Sequence, residues 1–328
     1  MARKFLVTGG SGFIGSAVVE RLIAEGHAVR VLDDNSRGVP RRLAAVAGRY
    51  EMVEGDIRQA DTVHRAMKGV DSCLHLAYVN GTEFFYSKPD LVLDVAVKGM
   101  VNVIDACRAE GVGDLILASS SEVYQTPTII PTPEAVPLVV PDPLNPRYSY
   151  GGGKIICELM ALNYGRQHFD RVTIFRPHNV YGPDMGWEHV LPQFVLRMRA
   201  LAAGQPQGRL KFPIQGGGTE TRSFNWIGDF VNGAMTVIDK GEHLGIYHIG
   251  AEEEVAVADV ARMVGAYFGR DIDLVAGALQ KGGTPRRCPD IGKLAALGYR
   301  PEVSLAQGLP RLAEWYVGNA HLAPGRDG

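Results

Sequence analysis

The sequence predicts an α/β fold: a doubly wound parallel sheet with a smaller C-terminal lobe. Two observations predict it. Short, wholly apolar segments alternate with segments of helical periodicity from residue 4 to residue 176, and the first alternation passes through a glycine-rich turn. Strands that are apolar on both faces belong to a parallel sheet covered by helices on either side.

The elements follow in order. Strands are expected at residues 4–8, 28–33, 50–54, 72–76, 114–119 and 172–176, and helices at 12–24, 61–67, 88–110 and 150–168. Beyond Arg176 the rhythm changes: loops lengthen, glycines cluster at Gly216-Gly217-Gly218 and Gly282-Gly283, and helices are expected at 191–203, 227–240 and 257–268. Pro127, Pro131, Pro133, Pro137, Pro141, Pro143 and Pro146 make residues 126–146 an extended loop, because proline removes the backbone donor a helix needs. No internal repeat is seen, and disorder is expected over residues 323–328.

The bulk properties exclude several classes. A chain of 328 residues with 46% hydrophobic and 21% charged residues is an ordinary globular one. A formal net charge of −2 gives nucleic acid and anionic membranes nothing to attract. No apolar run is long enough to cross a bilayer. Met1-Ala2-Arg3-Lys4 leads straight into the first strand, so no signal peptide is read and a cytoplasmic location is expected. The four cysteines, Cys73, Cys107, Cys157 and Cys288, lack metal-ligand spacing; reduced thiols and no metal are expected.

The first strand runs into Gly9-Gly10-Ser11-Gly12-Phe13-Ile14-Gly15. Glycines at 9, 12 and 15 give the positive φ of the turn, the close approach of backbone to a phosphate, and tight packing of helix on strand. The helix then aims free N–H groups at a pyrophosphate. Asp33 ends the next strand, where a carboxylate meets the adenosine ribose. This is the Rossmann-type dinucleotide pattern. Asp33 and Asp34 favour NAD over NADP, although Arg37 stands near enough to accommodate a 2′-phosphate. Asp56, after the third strand, either accepts from the adenine amino group or caps a helix.

Tyr150 and Lys154 are one helical turn apart and share a face. An ammonium beside a phenol favours the phenolate, so the Tyr150 pKa is expected to fall from about 10 towards neutrality. That phenolate takes the proton of a substrate hydroxyl as hydride leaves the same carbon. Ser119-Ser120-Ser121 ends the fifth strand at the ligand-binding edge; Ser120 is the expected hydrogen-bonding serine, and Ser119 is either that or a strand-end cap. Glu122 is either a second base and hydroxyl ligand or a solvated loop acid.

These motifs resemble the extended short-chain dehydrogenase/reductase family, in particular its NAD-dependent nucleotide-sugar epimerases, dehydratases and decarboxylases. The resemblance covers nearly the whole chain, from Thr8–Gly15 and Gly55-Asp56-Ile57 through His75-Leu76-Ala77, 119–124 and 150–154 to Arg176-Pro177-His178-Asn179, 215–224 and Arg286-Arg287. It implies an NAD site taking in Gly9, Gly12, Phe13, Ile14, Gly15, Asp33, Asp34, Asn35, Asp56, Ile57, Leu76, Ala77, Ser119, Tyr150, Lys154 and Pro177. It implies catalysis by Ser120, Tyr150, Lys154 and Glu122, and a nucleotide-diphosphate sugar held by Ser121, Glu122, Asn179, Gln193, Arg222 and Arg287; Trp187, in a loop expected to face the sugar, either stacks on a pyranose ring or packs in the interior. Residues 1–176 would then bind NAD and carry the catalytic groups. Residues 177–328 would form mainly the substrate-binding lobe, with some segments returning to the sheet. A homodimer packed through the helices at 88–110 and 150–168 is implied too.

The expected activity is a nucleotide-sugar epimerase acting through a transient keto sugar, as UDP-glucose 4-epimerases do. The alternative is a nucleotide-uronate decarboxylase, because Ser121-Glu122-Val123-Tyr124 and Pro146-Arg147 before Tyr150 resemble that branch. A dehydratase is disfavoured, since Ser121-Glu122 stands where dehydratases carry Asp-Glu. Lesser readings are a GDP-mannose 3,5-epimerase-like enzyme, which has a cysteine where Glu122 stands, and a non-catalytic NAD-binding protein. Three features depart from the family pattern: the run Gly151-Gly152-Gly153, Ala96 in place of an asparagine, and Tyr78 in place of a small residue.

Overall fold

The computed structural model describes residues 2–278 and 283–323. Gly282 and the tail beyond Ala323, where disorder is expected, lie outside the described residues.

Six strands of the first half are β1 Lys4–Thr8, β2 Ala28–Asp33, β3 Glu51–Glu54, β4 Ser72–His75, β5 Asp114–Ala118 and β6 Arg171–Pro177. They are within two residues of the expected bounds. Val180–Tyr181, Leu210–Ile214, Thr221–Ser223 and Asn225–Trp226 form β7 to β10; Gly245–Ile249, Glu254–Ala256, Ile272–Ala276 and Arg286–Arg287 form β11 to β14. The main sheet has seven strands in the order β11-β6-β5-β4-β1-β2-β3, all parallel. Its order reverses between β1 and β4, and ligands of such sheets bind beyond the carboxyl ends of the strands at that crevice. Phe5, Leu6 and Val7 of β1 are wholly buried, each contributing about 1.5–3 kcal/mol of apolar burial.

The helices are α1 Phe13–Ala24, α2 Ala60–Met67, α3 Thr82–Ser87, α4 Pro89–Glu110 and α5 Ser149–His168 in the first half. The second half adds α6 Val190–Gly204, α7 Ile227–Lys240, α8 Val257–Tyr267, α9 Gly292–Ala296 and α10 Leu305–Gly318. One side of the sheet packs on α2, α4 and α5. The other packs on α1 and α7, so Phe230, Ala234 and Ile238 share a core with Val18, Val19 and Leu22. Thus α7 and β11 belong physically to the sheet domain although they follow residue 176.

The rest of the second half has its own core, in which Phe194, Val195 and Met198 of α6 meet Val260 of α8 and Leu309, Leu312 and Tyr316 of α10. Helix α10 is not among the expected helices, and Pro310 lies inside it. A capping box between Ser304 and Gln307 starts the helix, and Leu305, Leu309, Leu312 and Tyr316 bury one face; apolar packing outweighs the hydrogen bond lost at proline.

Candidate active site

A cleft of about 460 Å³ opens at the carboxyl ends of β1, β2, β4, β5 and β6. In its cofactor half, Gly9 has φ +73°, and a Cβ there would stand 2.8 Å from the Ala77 backbone. A Cβ on Gly15 would lie 2.1 Å from the Gly9 carbonyl oxygen. Helix α1 starts at Gly12 with no side-chain cap and no acid in its first turn. Its orphan N–H groups therefore point at the cleft without an internal partner, a cradle suited to a pyrophosphate.

Asp33 is buried, accepting from the N–H of Ser11 at 3.0 Å and of Asn35 at 2.9 Å. These bonds hold its carboxylate at the cleft wall, where a ribose diol would meet it. Arg37, which left NADP open, also lines the cleft, where it pairs with Glu188 and lies over the Phe84 ring. Asp56 lines the cleft but is not a helix cap, since α2 begins after Gln59. Burial works against its ionisation, and hydrogen bonds from Arg58 outweigh that and hold it below the usual carboxylate range. The residues present fit NAD.

In the chemical half, Tyr150 and Lys154 project from α5 and Ser119–Glu122 continue from β5, all lining the cleft. Tyr150 is buried, and this pushes its phenol up to about 12; hydrogen bonding to Ser120 works in the opposite direction. This corrects the expected fall towards neutrality. The Lys154 ammonium donates to the Ala118 carbonyl at 2.7 Å rather than to the phenol, and desolvation dominates. Burial pushes Lys154 itself down to about 8. Ser120 accepts from the Glu122 N–H at 3.1 Å. Ser119 is turned to Glu158, whose carboxylate also takes two bonds from buried Arg176 at 2.8 and 2.6 Å.

Glu122 is bound rather than solvated. Its carboxylate lies 2.7 Å from Arg287 and 3.9 Å from Arg147. Burial alone would push its pKa up, but the charge of Arg287, with Arg147 and Arg222, holds it below the usual range. A carboxylate so stabilised is a weak base and a good anchor. Arg287 is 7% exposed, lines the cleft and also donates to Thr284 at 2.9 Å. In the parallel pair β14·β9, Arg287 is the partner of Arg222. Burial, then the charge of Arg287, lowers Arg222 to about 10.

The remaining expected site residues divide. Phe13, Ile14, Asp34, Ile57, Leu76, Ala77, Pro177, Ser121 and Asn179 line the cleft; Asn179 has φ +36° and donates to the Ser223 carbonyl at 2.8 Å. Asn35 lies one step behind, taking a hydrogen bond from Ser11 at 2.8 Å. Trp187 does not line the cleft but packs on Trp315 and Tyr316. Gln193 is behind it, donating to the Trp187 carbonyl at 2.7 Å. Packing therefore accounts for Trp187, and no pyranose stacking is needed to explain it.

Sequence reasoning missed Phe85 on α3, whose ring stacks on Tyr150 at 4.7 Å. The run Phe84-Phe85-Tyr86 was the available signal.

The turn, the acid after β2 and the serine–tyrosine–lysine group on one Rossmann-type sheet define an NAD-dependent enzyme of the extended short-chain dehydrogenase/reductase class. The chain belongs to the NAD dependent epimerase/dehydratase family, whose family model matches residues 5–250. It is 31% identical over 320 residues to UDP-glucuronic acid decarboxylase 6 of Arabidopsis thaliana, covering 95% of this chain and 88% of the relative. Among solved structures it resembles dTDP-glucose 4,6-dehydratase from Streptomyces venezuelae with NAD bound, at 32% identity and TM-score 0.85, covering 97% and 98% of the two chains. It also resembles UDP-glucose 4-epimerase of Thermotoga maritima with UDP-glucose, at 26% identity and TM-score 0.85, covering 97% and 99%.

Proposed function

We propose that this enzyme is a nucleotide-uronate decarboxylase, converting a nucleotide-linked glucuronate to the pentose and carbon dioxide. The observation that carries the reading is the buried Arg287 guanidinium, which lines the cleft and is tethered by Glu122 two residues from Ser120. A uronate needs a cation to seat its carboxylate beside the reacting hydroxyl, and a neutral hexose does not. The likeness to UDP-glucuronic acid decarboxylases supports the same reading, which here replaces the epimerase favoured from sequence.

Bound NAD, held by the glycine turn and Asp33, supplies the hydride acceptor, a positive charge that favours the phenolate, and the hydride that closes the cycle. Tyr150 takes the proton of the sugar hydroxyl and later returns it. Ser120 hydrogen-bonds the same oxygen. A ketone at that carbon stands β to the carboxylate, so the carbon–carbon bond breaks, carbon dioxide leaves, and the electron pair enters an enolate; a proton from solvent water at the carbon that lost carbon dioxide then restores the ketone. The Tyr150 and Ser120 hydroxyls meet the enolate oxygen, and Arg287 with Glu122 positions the departing carboxylate. Arg222 and Asn179 hold the diphosphate of the sugar nucleotide.

The test is product analysis with purified protein and UDP-glucuronate. Carbon dioxide and UDP-pentose in equal amounts are expected. Formation of the 4-epimer with no carbon dioxide would replace this reading with the epimerase.

The enzyme is further proposed to be a cytoplasmic homodimer. Leu93 and Val101 on α4 are each 39% exposed, and Ile156 and Leu159 on α5 are 39% and 55% exposed. An apolar strip across two packed helices supports association of two copies. All four cysteines are free and buried, which suits a reducing compartment. No helix among the described residues is long and apolar enough to cross a membrane.

A further inference from the structure

The three departures from the family pattern meet at one point. Gly153 sits inside α5 without a positive φ, so conformation does not require glycine there. Space does: a Cβ on Gly153 would stand 2.3 Å from the Tyr78 hydroxyl and 2.9 Å from the Ala96 Cβ. Residue 151 is bare for a similar reason, since a Cβ there would lie 2.7 Å from the Gln125 amide nitrogen and 2.9 Å from the Glu122 carbonyl. Helical glycine costs about 1 kcal/mol relative to alanine. At 153 that cost admits one particular side chain, Tyr78.

Tyr78 touches both catalytic groups. The Lys154 Nζ lies 3.9 Å from the centroid of the Tyr78 ring, at close range for a cation on an aromatic face. The same ammonium donates to the Ala118 carbonyl. The Tyr78 hydroxyl donates to the Tyr150 carbonyl at 3.2 Å. Its ring meets the Tyr150 ring edge-on at 5.1 Å and 79°, while Phe85 stacks on Tyr150 at 4.7 Å and 28°. Two aromatics touch the Tyr150 ring, and the Lys154 ammonium touches both a carbonyl and a π face.

We propose that Tyr78 is a positioning residue for the reaction, its ring face holding the buried Lys154 ammonium in place and in charge while its edge and hydroxyl fix Tyr150. The other groups around Lys154 do not duplicate this. His75 of β4 acts on it as a like charge only when protonated, and burial foremost, with the Lys154 charge, pushes that imidazole down to about 3. Glu158 is bound to Arg176 and Ser119. Cys157 has a buried thiol pushed up to about 11. Cys157 and Glu158 also favour the ammonium through charge; the ring adds a contact at the ammonium itself, 3.9 Å from its centroid, without competing for its protons.

The inference rests on Tyr150 and Lys154 as the catalytic pair, and its test is built to separate the two. Tyr78→Leu removes the ring and Tyr78→Phe keeps it. The leucine variant is expected to lower kcat about tenfold with KM within about twofold, and to move the Lys154 titration down by about one pH unit, read by NMR of lysine labelled at the ε-carbon; cation–π pairs of this kind span roughly that range. The phenylalanine variant, which loses only the hydroxyl's bond to the Tyr150 carbonyl, should lose about threefold in kcat and leave the Lys154 titration in place. Should the leucine variant fail to fold, fluorinated phenylalanines at 78 drain the ring face without changing its bulk, and both readouts should fall stepwise with fluorination. A flat series, an unmoved Lys154 titration, or equal losses for Phe and Leu would overturn the proposal. If the wild-type enzyme turned over no uronate, the proposed function would fail, while the Lys154 titration would still decide this inference.

Discussion

Arg222 and Arg287 are register partners on neighbouring parallel strands, and Glu122 lies 2.7 Å from the second of them. Two guanidiniums side by side repel one another, and although Glu122 and Glu220 act on Arg222 through charge, burial and the charge of Arg287 outweigh them. Such an arrangement is kept for an anion. Arg222→Met is therefore expected to raise KM for the nucleotide sugar at least tenfold while leaving thermal stability unchanged or up to about 1 kcal/mol higher. Arg287→Met should lower kcat/KM about 100-fold or more, since it strands Glu122 as well. Steady-state kinetics and thermal melts check both; a destabilised Arg222 variant with unchanged KM would count against the anion role.

The cradle for the pyrophosphate tolerates no side chain. With a Cβ at residue 15 only 2.1 Å from the Gly9 oxygen, Gly15→Ala must open the turn. The variant should purify without NAD, as read from the nucleotide released on denaturation. Full NAD occupancy would show that the turn does not hold the dinucleotide.

Acid sensitivity follows in part from His75, one of four histidines that burial holds below the usual imidazole range, with His178, His189 and His248. The His75 ring is buried, bonded to Thr8 at 2.7 Å, and held neutral by burial and by the charge of Lys154, so that it titrates at about 3 instead of 6.5. Below pH 6.5 the unfolded chain takes up a proton that the folded one refuses. Its stabilising contribution is thus complete above pH 6.5 and drains away as the pH falls towards 3. His75→Gln should flatten the decline of melting temperature between pH 7.5 and 5 relative to wild type; parallel curves would refute the assignment.

The reading of the sequence succeeded where one local rule was decisive. The glycine turn, Asp33 and the Tyr150–Lys154 spacing each depend on a few neighbouring residues, so strands β1 to β6 and the meeting of these residues along one cleft are legible. What escaped depended on distant packing. Strand β11 is recognisable only once β6 offers an edge, and α10 only once its apolar face outweighs Pro310. The direction of the Tyr150 shift was misread because an i, i+4 spacing shows that two side chains share a face without showing that Lys154 bonds the Ala118 carbonyl instead. Trp187 carried the composition of a sugar platform, but its surroundings, Trp315 and Tyr316, come from more than 120 positions away.

The exposed strip on α4 and α5 makes its own prediction. Leu159→Glu places a charge at its most exposed position and should convert a dimer to a monomer in sedimentation without loss of NAD. An unchanged sedimentation coefficient, whether wild type is dimeric or not, would remove this strip as the interface.

The central claim is that the Tyr150 oxygen moves the proton of the sugar hydroxyl. It is tested most directly by measuring turnover of UDP-glucuronate and NAD content together in Tyr150→Phe. The account predicts NAD bound at the wild-type ratio and turnover lowered at least about a thousandfold, within reach of what general base catalysis supplies. Turnover at the wild-type rate with NAD in place would contradict it.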